Sequence, residues 1–181
     1  MTTMTTAPAS FSRRDLLRFG LLGGAALATV GLTASLTGCS ADGPAAGFSQ
    51  LRDGDLPLLR RLIPVILDGA VPPPAPPDAM AATLAGIDRA IAHLSPALAT
   101  QVLQLFDLLT LPVTRGPLTG IWGGWASASD EQVRAFLERW EGSRLMLLRQ
   151  GYSSLLQLTL MSWYSQPRAW AACGYPGPPT V

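Results

Sequence analysis

The side chains that could carry chemistry in this chain are few: two cysteines, Cys39 and Cys173, one histidine, His93, and the acidic clusters Asp130-Glu131 and Glu138 with Glu141. A thiol nucleophile needs a base to draw off its proton. Cys173 lies among Ala171, Ala172 and Gly174 with no histidine near it in sequence, so it reads as structural. His93 falls at the end of a helical stretch, where an imidazole meets terminal carbonyls, and it has no evident catalytic partner. Glu138 and Glu141, three apart, would share a helix face as an acid/base carboxylate pair does. Arg134, Arg144 and Arg149 lie within helical reach of them, so solvated ion pairs are the simpler account. Asp130 and Glu131 are adjacent and point to different faces. One histidine and one remaining cysteine cannot supply an ordinary His/Cys zinc site. The serines lack a nucleophile-elbow motif, Gly123-Gly124 shows no phosphate-cradling pattern, and no c-type haem motif occurs. The chemistry left standing is acylation of Cys39, which has the small residues Thr37 and Gly38 ahead of it.

That cysteine ends a leader. Ser12-Arg13-Arg14-Asp15-Leu16-Leu17-Arg18 matches the twin-arginine (Tat) export pattern, with Arg13 and Arg14 as the pair, and an uncharged stretch of 23 residues runs from Phe19 to Ala41. Basic region, apolar region and small-residue end follow in the order of a signal peptide. The apolar region is rich in Gly, Ala and Thr, as suits export of a folded protein. Leu36-Thr37-Gly38-Cys39 has the form of a lipobox, which makes Cys39 the acylated first residue of a chain held on the periplasmic side of the membrane. Two other readings stand beside it: an ordinary cleavage site that happens to hold a cysteine, and a retained transmembrane helix, which the glycines and threonines disfavour.

The 181 residues carry 13 basic side chains, all of them arginine, against 12 acidic ones. Arg13, Arg14, Arg18 and Asp15 precede Cys39, so beyond it 10 arginines face 11 acids, a net charge near −1. That balance excludes a nucleic-acid binder and a polybasic membrane patch. Two cysteines, one of them committed to lipid, exclude a disulfide framework. High apolar content with only 14% charged residues fits a tightly packed domain or one covered by a partner.

The elements expected to position these residues are helical. We read residues 1–38 as the Tat signal, 39–52 as a lipid-anchored flexible tether of Gly, Ala, Ser and Asp, and 53–181 as one all-α domain. It is a small bundle of about four helices with a long C-terminal helix and an extended Pro/aromatic tail. The first helix covers Asp53 to Asp68, capped by Asp55, with a stripe of Leu58, Leu59, Leu62, Ile63, Ile66 and Leu67. Pro72 to Pro77 forms a polyproline spacer. Asp78 caps a second helix bearing Met80, Leu84, Ile87, Ile91 and Leu94, and Ser95-Pro96 opens a third, with Leu98, Val102, Leu105, Phe106 and Leu109, to Pro112. Pro112 to Ala128 reads as a loop containing one short turn of helix. Ser129 and Gln132 form a capping box for a long helix to about Tyr164, and strand signals are absent. The closing segment, Ser165 to Val181, carries aromatics that must lie on the bundle or on another protein; self-packing is favoured.

Trp163-Tyr164-Ser165-Gln166-Pro167-Arg168-Ala169-Trp170 and Gly174-Tyr175-Pro176-Gly177-Pro178, together with the Tat leader and Leu62-Ile63-Pro64-Val65-Ile66-Leu67, resemble the small-subunit family of membrane-bound flavin dehydrogenases typified by subunit 3 of gluconate 2-dehydrogenase. The resemblance implies a non-catalytic subunit with no cofactor of its own. It would accompany an FAD-dependent large subunit of the glucose-methanol-choline (GMC) type, often with a cytochrome c subunit. FAD and the catalytic base belong to the large subunit, and the small one supplies the export signal read by the Tat translocase and helps its partner fold. The lipobox is not general to that family, and Cys173 has no cofactor role in it. Large aromatics make interface anchors, so Trp122, Trp125, Trp163, Tyr164, Trp170, Tyr175 and Pro176 are the candidate partner contacts. The rival readings are a free-standing lipoprotein that binds a small apolar ligand within the bundle, and an enzyme using Cys173 or a carboxylate pair.

Overall fold

Leu58, Leu59, Leu62 and Ile63 lie at the spacing that gathers side chains on one side of a helix, and in the computed structural model all four are buried along α1 (Leu56–Ile66). The structure describes residues 43–71 and 78–177. The chain divides into residues 1–43 and 44–181, and the second unit is the one described below. Arg13, Arg14, Cys39 and the polyproline run 72–77 lie outside the described residues.

The unit is an all-α bundle. After α1 come α2 (Ala79–Ala92), α3 (Pro96–Thr110), α4 (Pro112–Thr119), α5 (Asp130–Glu141), α6 (Met146–Tyr164) and α7 (Pro167–Trp170), with 3-10 turns at Trp125–Ser127 and Ala171–Cys173. The longest helix, α6, packs on α2 along one side and α5 along the other, and α1 lies against α5. Phe106, Ile87, Leu62, Phe136 and Leu155 fill the centre, each stabilising the fold by roughly 1.5–3 kcal/mol through burial. Small residues set the helix separations. A Cβ on Gly86 of α2 would stand 2.9 Å from the Ser162 Cβ of α6, and one on Gly151 of α6 would stand 2.5 Å from the Trp140 ring of α5. The Phe136 and Trp140 rings meet edge to face at 4.9 Å, and Trp125 meets Phe136 in the same way at 6.0 Å.

Four expectations change. The segment expected as a tether through Arg52 is docked from Pro44 onward: Ala45 and Leu51 are buried, and the amides of Ser49, Gln50 and Leu51 donate to the buried Asp88 carboxylate of α2 at 2.8–3.1 Å. The Ser49 hydroxyl donates to it at 2.8 Å as well. Burial alone would raise the Asp88 pKa, but these donors outweigh it and hold the carboxyl below its ordinary range.

The long helix expected from Ser129 is two helices. The α5 capping box of Ser129 and Gln132 is present, but the chain breaks after Glu141, where the Ser143 hydroxyl accepts the Leu145 amide at 3.1 Å and Arg149 donates to the Ser143 carbonyl at 2.6 Å. Local bonds of this kind compete with the helical ladder.

The stretch expected as a loop with one short turn of helix, Pro112 to Ala128, begins with the longer eight-residue α4, for which Pro112 supplies the first helical residue. Lastly, Asp55 and Asp78 occupy N-cap positions without capping through their side chains. Asp55 instead pairs with Arg52 at 3.0 Å, and Asp78 binds Arg168 of α7 at 2.6 and 2.8 Å.

Among the described residues no single helix is long and apolar enough to cross a membrane. Taken together α3 and α4 suffice in length and composition, but they are bent by 87°.

Candidate partner-binding surface

The most exposed of the candidate aromatics, Trp122, follows α4, the helix that a bend at Leu111 sets off from α3. Leu111 takes an extended conformation between the two helices. Thr114 donates its hydroxyl to the Leu108 carbonyl at 2.7 Å, and Arg115 donates to the Thr110 carbonyl at 3.1 Å. The elbow is thus stitched across its inner side, while Leu108, Leu111 and Val113 project outward, Val113 at 77% exposure. Gly120 ends α4 in the left-handed conformation (φ 74°), which favours glycine and turns the chain back.

That reversal lays Trp122 over Gly116, one helical turn from Val113. A Cβ on Gly116 would stand 2.5 Å from the indole, so glycine is what permits the approach. The indole remains 76% exposed. A large exposed ring resting on helix backbone one turn from exposed Val113 is the kind of apolar feature that anchors protein interfaces.

The remaining candidates separate into core and surface. Trp125 and Trp163 are 3% and 1% exposed, and Trp125 donates to the Leu109 carbonyl at 2.7 Å. Both are core residues and are withdrawn as contacts, because an indole with a polar edge packs an interior as readily as it anchors an interface.

The tail packs on itself. Trp170 donates to the Tyr164 carbonyl at 2.8 Å, its ring meets Tyr175 edge to face at 5.4 Å, and Gly177 lies against it. Tyr164, Tyr175 and Pro176 are exposed. Beside the tail an open groove of about 470 Å³ is walled by Asp88, Arg89, Gln166 and Arg168.

The chemistry-bearing residues stay apart. His93 is exposed, with Nδ1 2.7 Å from the Arg89 carbonyl, as expected of a helix-end residue. Arg134 pairs with Asp68 at 2.9 Å and Arg61 with Asp130 at 2.9 Å, so both bridges run between α5 and the α1 region and not along α5. Cys173 is free and exposed at the end of the tail's 3-10 turn. Among the described residues no three His, Cys, Asp or Glu side chains converge as metal ligands.

Leu108, Leu111 and Val113 were not singled out by the sequence reading. Their signal was available: Leu108 lies off the apolar stripe of α3, so that helix is apolar on more than one side, which marks a helix covered on more than one side. Comparison with family models, with curated proteins and with solved structures finds no match to this chain.

Proposed function

We propose that this chain is the non-catalytic small subunit of an FAD-dependent dehydrogenase of the GMC type, escorting a folded large subunit through the Tat pathway and stabilising it as a lipoprotein on the periplasmic side. The twin-arginine leader and the Trp/Tyr-rich C-terminal segment support the reading from sequence. The observation that carries it in the fold is the α3–α4 elbow and the turn after it, which expose Leu108, Leu111, Val113 and the Gly116-backed Trp122. Tyr164, Tyr175 and Pro176 offer a second contact region. The rival, a carrier of a small apolar ligand, draws less support, since the groove beside the tail is open to solvent and Asp88, Arg89 and Arg168 form part of its wall alongside Ala82, Ala85 and Pro167.

The test is purification of the C-terminally tagged chain from its host envelope, with mass spectrometry and an absorption spectrum. Co-elution of a flavoprotein lacking its own export signal, lost on Trp122→Ala, is the expected result. A colourless monomer overturns the reading.

A further inference from the structure

The turn between α5 and α6 exposes three large apolar residues in succession, Leu145, Met146 and Leu147, at 65%, 74% and 75%. Consecutive residues around a helix start point in three different directions, so a flat protein surface or a groove receives one or two of them and leaves the rest in water. A fluid apolar phase surrounds a protruding tip and takes all three.

The flanks agree with such a phase. Arg144 precedes the tip and Arg149 follows it, and both are exposed. Arg144 makes no hydrogen bond or ion pair among the described residues, and Arg149 spends one donor on the Ser143 carbonyl. The carboxylate nearest in sequence, Glu141, forms no ion pair with either arginine among the described residues. Arginines at the base of an apolar tip meet lipid phosphates while their stems lie along the acyl boundary. Leu148, partly buried against the core, ties the tip to the bundle.

We infer that Arg144–Arg149 is a membrane-inserting tip, placing Leu145, Met146 and Leu147 in the interfacial region of a bilayer bearing anionic headgroups. This contact uses residues other than the Cys39 anchor and other than those of the elbow.

The experiment uses the full chain reconstituted in vesicles of 30% phosphatidylglycerol in phosphatidylcholine, doped with a phospholipid carrying a photoactivatable group near its headgroup. Because every basic residue is arginine, trypsin releases the tip as the single peptide Leu145–Arg149. Lipid adducts on it are expected to exceed those on the α5 peptide Ala135–Arg139 at least fivefold. They should fall to the α5 level in the triple variant Leu145→Ser, Met146→Ser, Leu147→Ser, and weaken in pure phosphatidylcholine. Circular dichroism of the variant should be unchanged, since it alters exposed side chains. Equal labelling of the two wild-type peptides, or full labelling of the triple variant, overturns the inference. So does a wild-type dimer in detergent-free buffer that the triple variant abolishes, which would show the tip covered by protein. The mass of the Cys39 peptide in the same digest reports acylation separately, and flavoprotein capture tests the subunit reading on its own.

Discussion

The Asp88 carboxylate accepts the Leu51 amide proton at 2.9 Å across 37 residues of chain, and with Ser49 and Gln50 it clasps the start of the folded unit to α2. Replacing Asp88 by Ala removes every acceptor of the clasp at a buried position. We expect a loss of about 2–3 kcal/mol in urea unfolding. Hydrogen exchange at the Ser49, Gln50 and Leu51 amides should accelerate more than elsewhere, and unchanged protection there would show that the clasp is ornamental.

The same carboxylate sets an acid limit. Its folded pKa lies below the unfolded value, because donors favouring the charged form outweigh burial. The clasp is therefore fully present above the ordinary carboxylate range and is lost as pH falls through the depressed folded pKa. Thermal melts from pH 6 down to pH 2 should show a drop at the acid end that is smaller in Asp88→Asn, whose side chain does not titrate.

Tryptophans of one type should divide by place. Trp125→Ala empties a buried site and orphans the Leu109 carbonyl, a cost of about 3–5 kcal/mol. Trp122→Ala removes an exposed ring, and surface changes of that kind stay within about 0.5 kcal/mol, so only partner capture should suffer. Gly116→Ala gives a finer cut: the new methyl displaces the indole, leaving stability intact and weakening capture. A Trp122→Ala chain that melts early would place this ring in the core.

The contact between Gly151 and Trp140 has no such freedom, because the ring is 2% exposed and its N–H is held by the Leu118 carbonyl at 2.9 Å. Gly151→Ala puts a methyl 2.5 Å from that ring. The overpacking should cost about 1–3 kcal/mol despite the better helix propensity of alanine, and a stabilised variant would refute the close approach.

Helices with regular stripes and explicit caps were legible in the sequence. The Leu58 to Ile63 stripe and the Ser129–Gln132 capping box stand where the residues placed them. Part of what escaped depends on partners distant in the chain. Phe48 and Leu51 are an apolar signal within residues 44–52, but nothing in that segment says that the Asp88 carboxylate will collect its amides. One helix was expected to run through Gly142 and Ser143 because helical spacing resumes on both sides, and the break lies in bonds between Ser143, Leu145 and Arg149. The burial of Trp125 and Trp163, against the exposure of Trp122, follows from which glycine or carbonyl each indole meets, and residue type does not carry that information.

The clasp also orders events in folding. A segment that must find an acceptor 37 residues onward closes a long loop before it gains anything. Ala45 to Leu51 therefore stay open to protease until α2 has been made and has turned Asp88 inward. Resistance to nicking just ahead of α1 then serves as a clock, marking in any pulse-labelled chain the moment at which the bundle has closed.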